Sequence, residues 1–92
     1  MNVFHVYILK CSDGSYYTGH TEFIDKRISE HRQGIVAGYT ASRLPIEVVY
    51  IETFGTRYEA LAAERRIKGW TRKKKEALIA YDWKKLVYLS NS

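Results

Sequence analysis

Ile24, Arg27, Ile28 and His31 recur at i, i+3, i+4 and i+7, which sets all four on one face of a helix. Two of them are apolar, so that face must meet a core, and it takes a guanidinium and an imidazole with it. A desolvated, unpaired guanidinium is expensive. Arg27 therefore needs an acid partner or a cleft where it meets an anion. The alternative is a snorkelling arginine beside a satisfied histidine at the edge of the stripe. A second anomaly has the opposite sign. In ALAAERRIKGW, Glu64 falls between Leu61 on one side and Ala60 and Ile67 on the other. A carboxylate so flanked calls for a cation, either a basic side chain or a bound metal. Arg27, as an ion pair across the helix interface, is one such cation. Tyr7, on a strand face with Val3, His5 and Leu9, and Tyr17 in the next strand add two phenols. Tyrosines at sheet positions serve packing as readily as chemistry.

No other constellation competes. Cys11 has no second cysteine for a zinc site or an internal disulfide. His5, His20 and His31 lack the HxxxH spacing of helical zinc ligands, and neither a Walker-type loop nor a nucleophile elbow is present.

These groups need elements to hold them. Residues 3–10 (VFHVYILK) read as a strand, Ser12-Asp13-Gly14 as a turn, and residues 15–21 (SYYTGHT) as a second strand in hairpin with the first. Gly19 inside that strand marks a bulge or a close approach. A helix follows over residues 22–33, ended by Gly34, then a loop to Pro45. Residues 46–53 form a third strand and residues 57–69 a second helix. Thr71 caps a third helix that runs to about Tyr81. The order ββαβαα specifies an α+β domain with helices packed on one three-stranded sheet. The domain spans residues 1–81, and residues 82–92 form a C-terminal tail with a frayed end.

The 92 residues suffice for one domain, with 46% hydrophobic and 27% charged residues. No apolar run is long enough for a membrane, and no signal peptide is visible. The lone cysteine suits a reducing cytoplasm. The net charge of +5 is unevenly spread. Residues 1–56 hold five basic and six acidic side chains, and residues 57–92 hold ten and four. Arg65, Arg66, Lys68, Arg72, Lys73, Lys74 and Lys75 crowd into one stretch without an acid. Such a face suits a polyanion, most commonly nucleic acid, although lysine and arginine also make ordinary solvated helix faces.

The spaced residues together resemble the GIY-YIG nuclease family. That family has one tripeptide ending in Tyr, about ten residues, then another running from Tyr to Gly. Here these are His5-Val6-Tyr7 and Tyr17-Thr18-Gly19. An arginine with a histidine one turn later fits Arg27 and His31, and the glutamate of the second helix fits Glu64. The resemblance covers nearly the whole chain and is closest to small stand-alone bacterial members, whose loop is similar to Gly38-Tyr39-Thr40 through Arg43 and Pro45. There are departures: His5 and Val6 replace Gly and Ile, Thr18 replaces Ile, and residues 71–75 lack the late asparagine of many members.

The resemblance implies a metal-dependent endonuclease, probing DNA structure rather than sequence. It implies that Glu64 holds Mg²⁺ or Mn²⁺, Arg27 contacts the scissile phosphate, and Tyr7 acts as general base or relays the water's proton. His31 would assist Tyr7, and Tyr17 would position phosphate or water. Arg43 and the cations from Arg65 to Lys75 would hold flanking backbone. A monomer is the default, and a partner protein could direct specificity. The rivals are a non-catalytic nucleic-acid-binding module on the same fold, and a protein-interaction domain with a structural Arg27–Glu64 pair.

Overall fold

The computed structural model describes residues 2–90. In chain order it contains β1 (Phe4–Lys10), β2 (Tyr16–Thr21), α1 (Ile24–Gln33), β3 (Glu47–Phe54), α2 (Arg57–Lys68), α3 (Arg72–Ile79) and α4 (Trp83–Ser90). The sheet order is β2-β1-β3, with β1 antiparallel to both neighbours. This is the α+β architecture that the sequence specifies, extended by one helix.

The central strand explains the arrangement. Val6, Tyr7, Ile8 and Leu9 are all buried, so β1 carries a continuous apolar run rather than an alternating one. Val6 and Ile8 pack with Ala60, Ala63 and Ile67 of α2 and Leu78 of α3. Tyr7 and Leu9 point the other way, into a cluster with Cys11, Ile28 and Ile46, flanked by Ile24 of α1. Helices therefore cover both faces of the sheet. Full burial of each large aliphatic side chain contributes roughly 1.5–3 kcal/mol. The β1–β2 register runs without interruption, so Gly19 marks no bulge; the irregularity lies between β1 and β3, at Ile8/Leu9.

Local chemistry sets the helix ends. Gly34 stops α1 at φ 75°, a left-handed conformation that a side chain would disfavour. Thr56 accepts from the Glu59 amide at 3.1 Å and so caps α2, while its hydroxyl donates to the Glu59 carboxylate at 2.9 Å. Thr71 caps α3 through the Lys74 amide, as its sequence position foretells. Residues 82–92, read from sequence as a tail, include α4. The signal was Asp82, whose carboxylate accepts from the Lys85 amide at 3.1 Å. Leu86 then packs against the α2 side of the core. Of the end expected to fray, Asn91 and Ser92 lie outside the described residues.

No helix among the described residues is long and apolar enough to cross a membrane.

Thr18 lies opposite Ile8 and is buried, and its Oγ1 has no hydrogen-bond partner among the described residues. An unanswered buried hydroxyl costs on the order of 1–3 kcal/mol. Thr18→Val keeps the shape and removes that cost. It should stabilise the fold by about 1 kcal/mol, read as a higher urea midpoint at unchanged m-value.

Candidate active site

The two tripeptides meet at one point. Tyr7 on β1 stands directly opposite Gly19 on β2. A Cβ on Gly19 would sit 2.5 Å from Tyr7 Oη and 2.7 Å from its Cζ, far inside van der Waals contact. Gly19 thus makes room for the Tyr7 ring, the close approach that a glycine inside a strand suggests.

The seated phenol has a fixed partner. Tyr7 Oη lies 2.9 Å from His31 Nε2, and His31 Nδ1 lies 2.8 Å from Thr40 Oγ1, all three side chains being buried. Burial pushes the Tyr7 phenol above its ordinary range, and neighbouring Tyr17 adds to this. Arg27 works the other way, with its guanidinium near enough to favour the ionised phenol, whereas Glu64 opposes ionisation. Burial, followed by Arg27, holds His31 below its usual pKa, so the imidazole favours its neutral form. When Tyr7 donates to Nε2, the Nδ1–H is free to donate to Thr40, which sets the tautomer.

Tyr17 extends the aromatic wall. Its ring centroid is 5.3 Å from that of His31 and 6.4 Å from that of Tyr7, and it stacks on Tyr39 at 6.2 Å. Arg43 lies over the Tyr39 ring at 3.8 Å and pairs with Asp13 at 3.1 Å, while its Nη1 donates to the Tyr39 carbonyl. The protein itself thus engages this guanidinium, which staples the 35–45 loop to the hairpin turn.

Glu64 approaches from the opposite face. Val6 faces α2, and so does His20, its partner across the β1–β2 ladder. Glu64 is buried on α2, with Oε2 3.0 Å from His20 Nδ1 and 3.7 Å from Lys68 Nζ. The Arg27–Glu64 ion pair, one of the alternatives that the sequence leaves open, does not form. Arg27 is half-exposed and pairs with Glu30 of its own helix at 3.5 Å. The two residues belong to helices on opposite faces of the sheet, and different groups answer each charge.

Beside the edge strand β2, a cleft of about 210 Å³ is lined by His20, Thr21, Glu22, Phe23, Arg27 and Arg57. Arg57 pairs with Glu22 across it. Two guanidiniums against one carboxylate make the lining favourable to an anion. A larger groove of about 440 Å³, between α1 and β3, shares none of these residues. The described residues contain no cluster of three His, Cys, Asp or Glu side chains. Glu64 and His20 nevertheless offer one oxygen and one nitrogen donor, which fits a divalent ion that keeps most of its water.

The basic stretch divides by partner. Arg72 donates to the Gly14 carbonyl at 2.8 Å, lies over Tyr16 and pairs with Glu76. Lys74 lies over Trp70. Arg65, Arg66, Lys73 and Lys75 have no ion-pair partner among the described residues. Sequence reasoning picks out Tyr7, Tyr17, Arg27, His31 and Glu64 but overlooks His20, Thr40 and Arg57. For His20 the signal was strand alternation: three residues after Tyr17, it must face the other way, toward α2.

Gly19→Ala should push the Tyr7 ring off its seat, at a cost of about 1–3 kcal/mol, and break the Tyr7–His31 bond. Denaturation, with the His31 ring signals in an NMR spectrum, checks both effects. A second expectation concerns acid. Because the folded-state pKa of His31 lies below its unfolded value, the unfolded chain binds more protons between the two. Stability should therefore fall as pH drops through about 6.5, by at most about 1.4 kcal/mol per pH unit for one proton. Comparing thermal midpoints from pH 7.5 to 5 checks this, since His31→Gln should flatten the slope.

Comparison with known proteins places this arrangement. The family described as the GIY-YIG catalytic domain matches residues 3–77. A UPF0213 protein of Bacillus pumilus is 48% identical over 75 residues, covering 82% of this chain and 76% of its own. One from Haloquadratum walsbyi is 48% identical over 79 residues, covering 85% and 89%. The solution structure of a UPF0213 protein from Bacillus halodurans superposes with a TM-score of 0.59 at 42% identity, over 86% of this chain and 84% of that one. The solution structure of a protein from E. faecalis gives 0.62 at 39%, over 88% and 86%. With the matched domain spanning both tripeptides, Arg27, His31 and Glu64, the chain belongs to the GIY-YIG family.

Proposed function

We propose that this protein is a metal-dependent endonuclease that hydrolyses phosphodiester bonds of DNA and selects structure rather than sequence. One observation carries the reading: the buried Tyr7 phenol lies 2.9 Å from His31 Nε2, where burial favours the neutral imidazole and the Arg27 guanidinium favours the ionised phenol. Packing alone asks for none of these charges.

Phosphodiester hydrolysis needs a water to lose a proton and the phosphate to gain negative charge safely. Tyr7 is protonated at rest, so it does not work as a standing phenolate. It takes the water's proton on Oη while passing its own to His31 Nε2. His31 becomes an imidazolium, still donating from Nδ1 to Thr40. The water's oxygen bonds to phosphorus as the P–O bond to the leaving oxygen breaks, and that oxygen departs as an alkoxide and takes its proton from solvent. Arg27, in the cleft, binds the non-bridging oxygens and stabilises their growing charge. Tyr17 walls the relay against bulk water. Glu64, with His20 beside it, would hold Mg²⁺ or Mn²⁺, which when bound supplies Lewis-acid charge to the phosphate. Arg65, Arg66, Lys73 and Lys75 are available to backbone phosphates and carry no base readout.

The test is cleavage of end-labelled duplex, single-stranded and branched DNA at low salt with Mg²⁺ or Mn²⁺. Glu64→Gln should abolish cutting, and Arg27→Ala should slow it by about 10²-fold or more. Salt-sensitive binding with no cutting by either the wild type or Glu64→Gln would replace the enzyme with a binding module.

A further inference from the structure

We propose that His20 and Glu64 together form a two-donor site that selects a first-row transition ion such as Mn²⁺ over Mg²⁺. The inference rests on the nuclease reading for the role of Glu64 and adds a second protein ligand. His20 Nδ1 and Glu64 Oε2 are 3.0 Å apart. That separation is a hydrogen bond, and it is also the edge of a metal polyhedron. Two donors about 2.1 Å from a common ion and at right angles to each other lie about 3.0 Å apart. Both donors are thus within reach of one ion, which would replace the shared proton once the imidazole turns its Nδ1 lone pair toward it.

The surroundings favour this. His20 sits on a strand and Glu64 on a packed helix, so both are held by regular elements. His20 also lines the cleft of Arg27 and Arg57, so an ion there would face the same space as a phosphate bound by those guanidiniums. The described residues hold no third ligand, which leaves the remaining positions to water and phosphate oxygens. Lys68, 3.7 Å from the same oxygen, is the cation such an ion would displace. Donor chemistry sets the preference. An all-oxygen site suits Mg²⁺, whereas an imidazole nitrogen beside a carboxylate gains more from Mn²⁺ and the later ions.

The experiment titrates the full chain with MnCl₂ and, separately, MgCl₂ by calorimetry, and follows the three histidine rings by NMR during the Mn²⁺ titration. Wild type should bind Mn²⁺ at least about tenfold more tightly than Mg²⁺, and substoichiometric Mn²⁺ should broaden the His20 ring before those of His5 and His31. His20→Gln should lower Mn²⁺ affinity by about tenfold or more and bring the two ions level. Glu64→Gln should lose both. Unchanged Mn²⁺ affinity in His20→Gln, or a His20 ring left sharp by bound Mn²⁺, overturns the proposal. DNA cleavage run in parallel separates the two claims. Cutting with the same Mn²⁺-to-Mg²⁺ rate ratio in wild type and His20→Gln removes the site and keeps the nuclease. His20-dependent Mn²⁺ binding by a chain that cuts nothing does the reverse.

Discussion

The candidate site depends on one steric fact: the Tyr7 ring occupies the space that a side chain at position 19 would fill. The antiparallel register makes this unavoidable, because Tyr7 and Gly19 are direct partners. From that seat the phenol reaches His31, and His31 reaches Thr40. Two elements, β1 and α1, and a loop are thereby tied through one buried chain of hydrogen bonds. Each link is polar and lies in the core, so its loss would leave an unanswered group there. The same bonds that stabilise the packing also fix a tautomer and the direction in which a proton can move.

The second constraint is the burial of β1 on both faces. A central strand flanked by α1 on one side and α2 and α3 on the other separates the phenol and imidazole from the carboxylate. Chemistry that needs both must occur around an edge of the sheet. β2 is that edge, and its residues alternate accordingly. Tyr17 and Gly19 face the phenol, whereas Thr18 and His20 face α2. The anion-favouring cleft lies beside this strand, lined by His20 from one face and Arg27 from the helix on the other.

Much of this was legible in the residues. The apolar runs marked the strands, Gly34 and Thr71 marked helix ends, and the helical spacing set Arg27 and His31 on one face. The polar intrusions at Arg27, His31 and Glu64 flagged the site before any contact was known. What could not be read was which charge answers which. Pairing Arg27 with Glu64 assumed that their helices share a face, and that depends on how the chain wraps the sheet, a non-local property absent from periodicity. His20 was passed over because it matched no helical ligand spacing, although strand alternation directs it to Glu64. Arg43 carried a charge that looked available, and only the loop's tertiary path engages it with Asp13 and Tyr39. Helix α4 starts at Asp82, a sound N-cap, directly after Tyr81, whose positive φ turns the chain out of α3 and leaves no mark in periodicity.

The basic stretch gains meaning from where the helices place it. The first turn of α3 carries Arg72, Lys73 and Lys74 and no acid. A helix N-terminus already holds partial positive charge and prefers carboxylates, by about 0.3–1 kcal/mol each. Folding alone would select the opposite composition there. Two of the cations are partly answered, Arg72 by Glu76 and Lys74 by the Trp70 ring, but Lys73 and Lys75 are not. Cations set against their own helix dipole cost stability, and under the proposed function a phosphate backbone would offset that cost. A backbone bound there would neutralise both the side chains and the helix end and would release counterions. Because such contacts would ignore base identity, the proposed discrimination would rest on the shape of a nucleic acid lying between the cationic helices and the cleft beside β2.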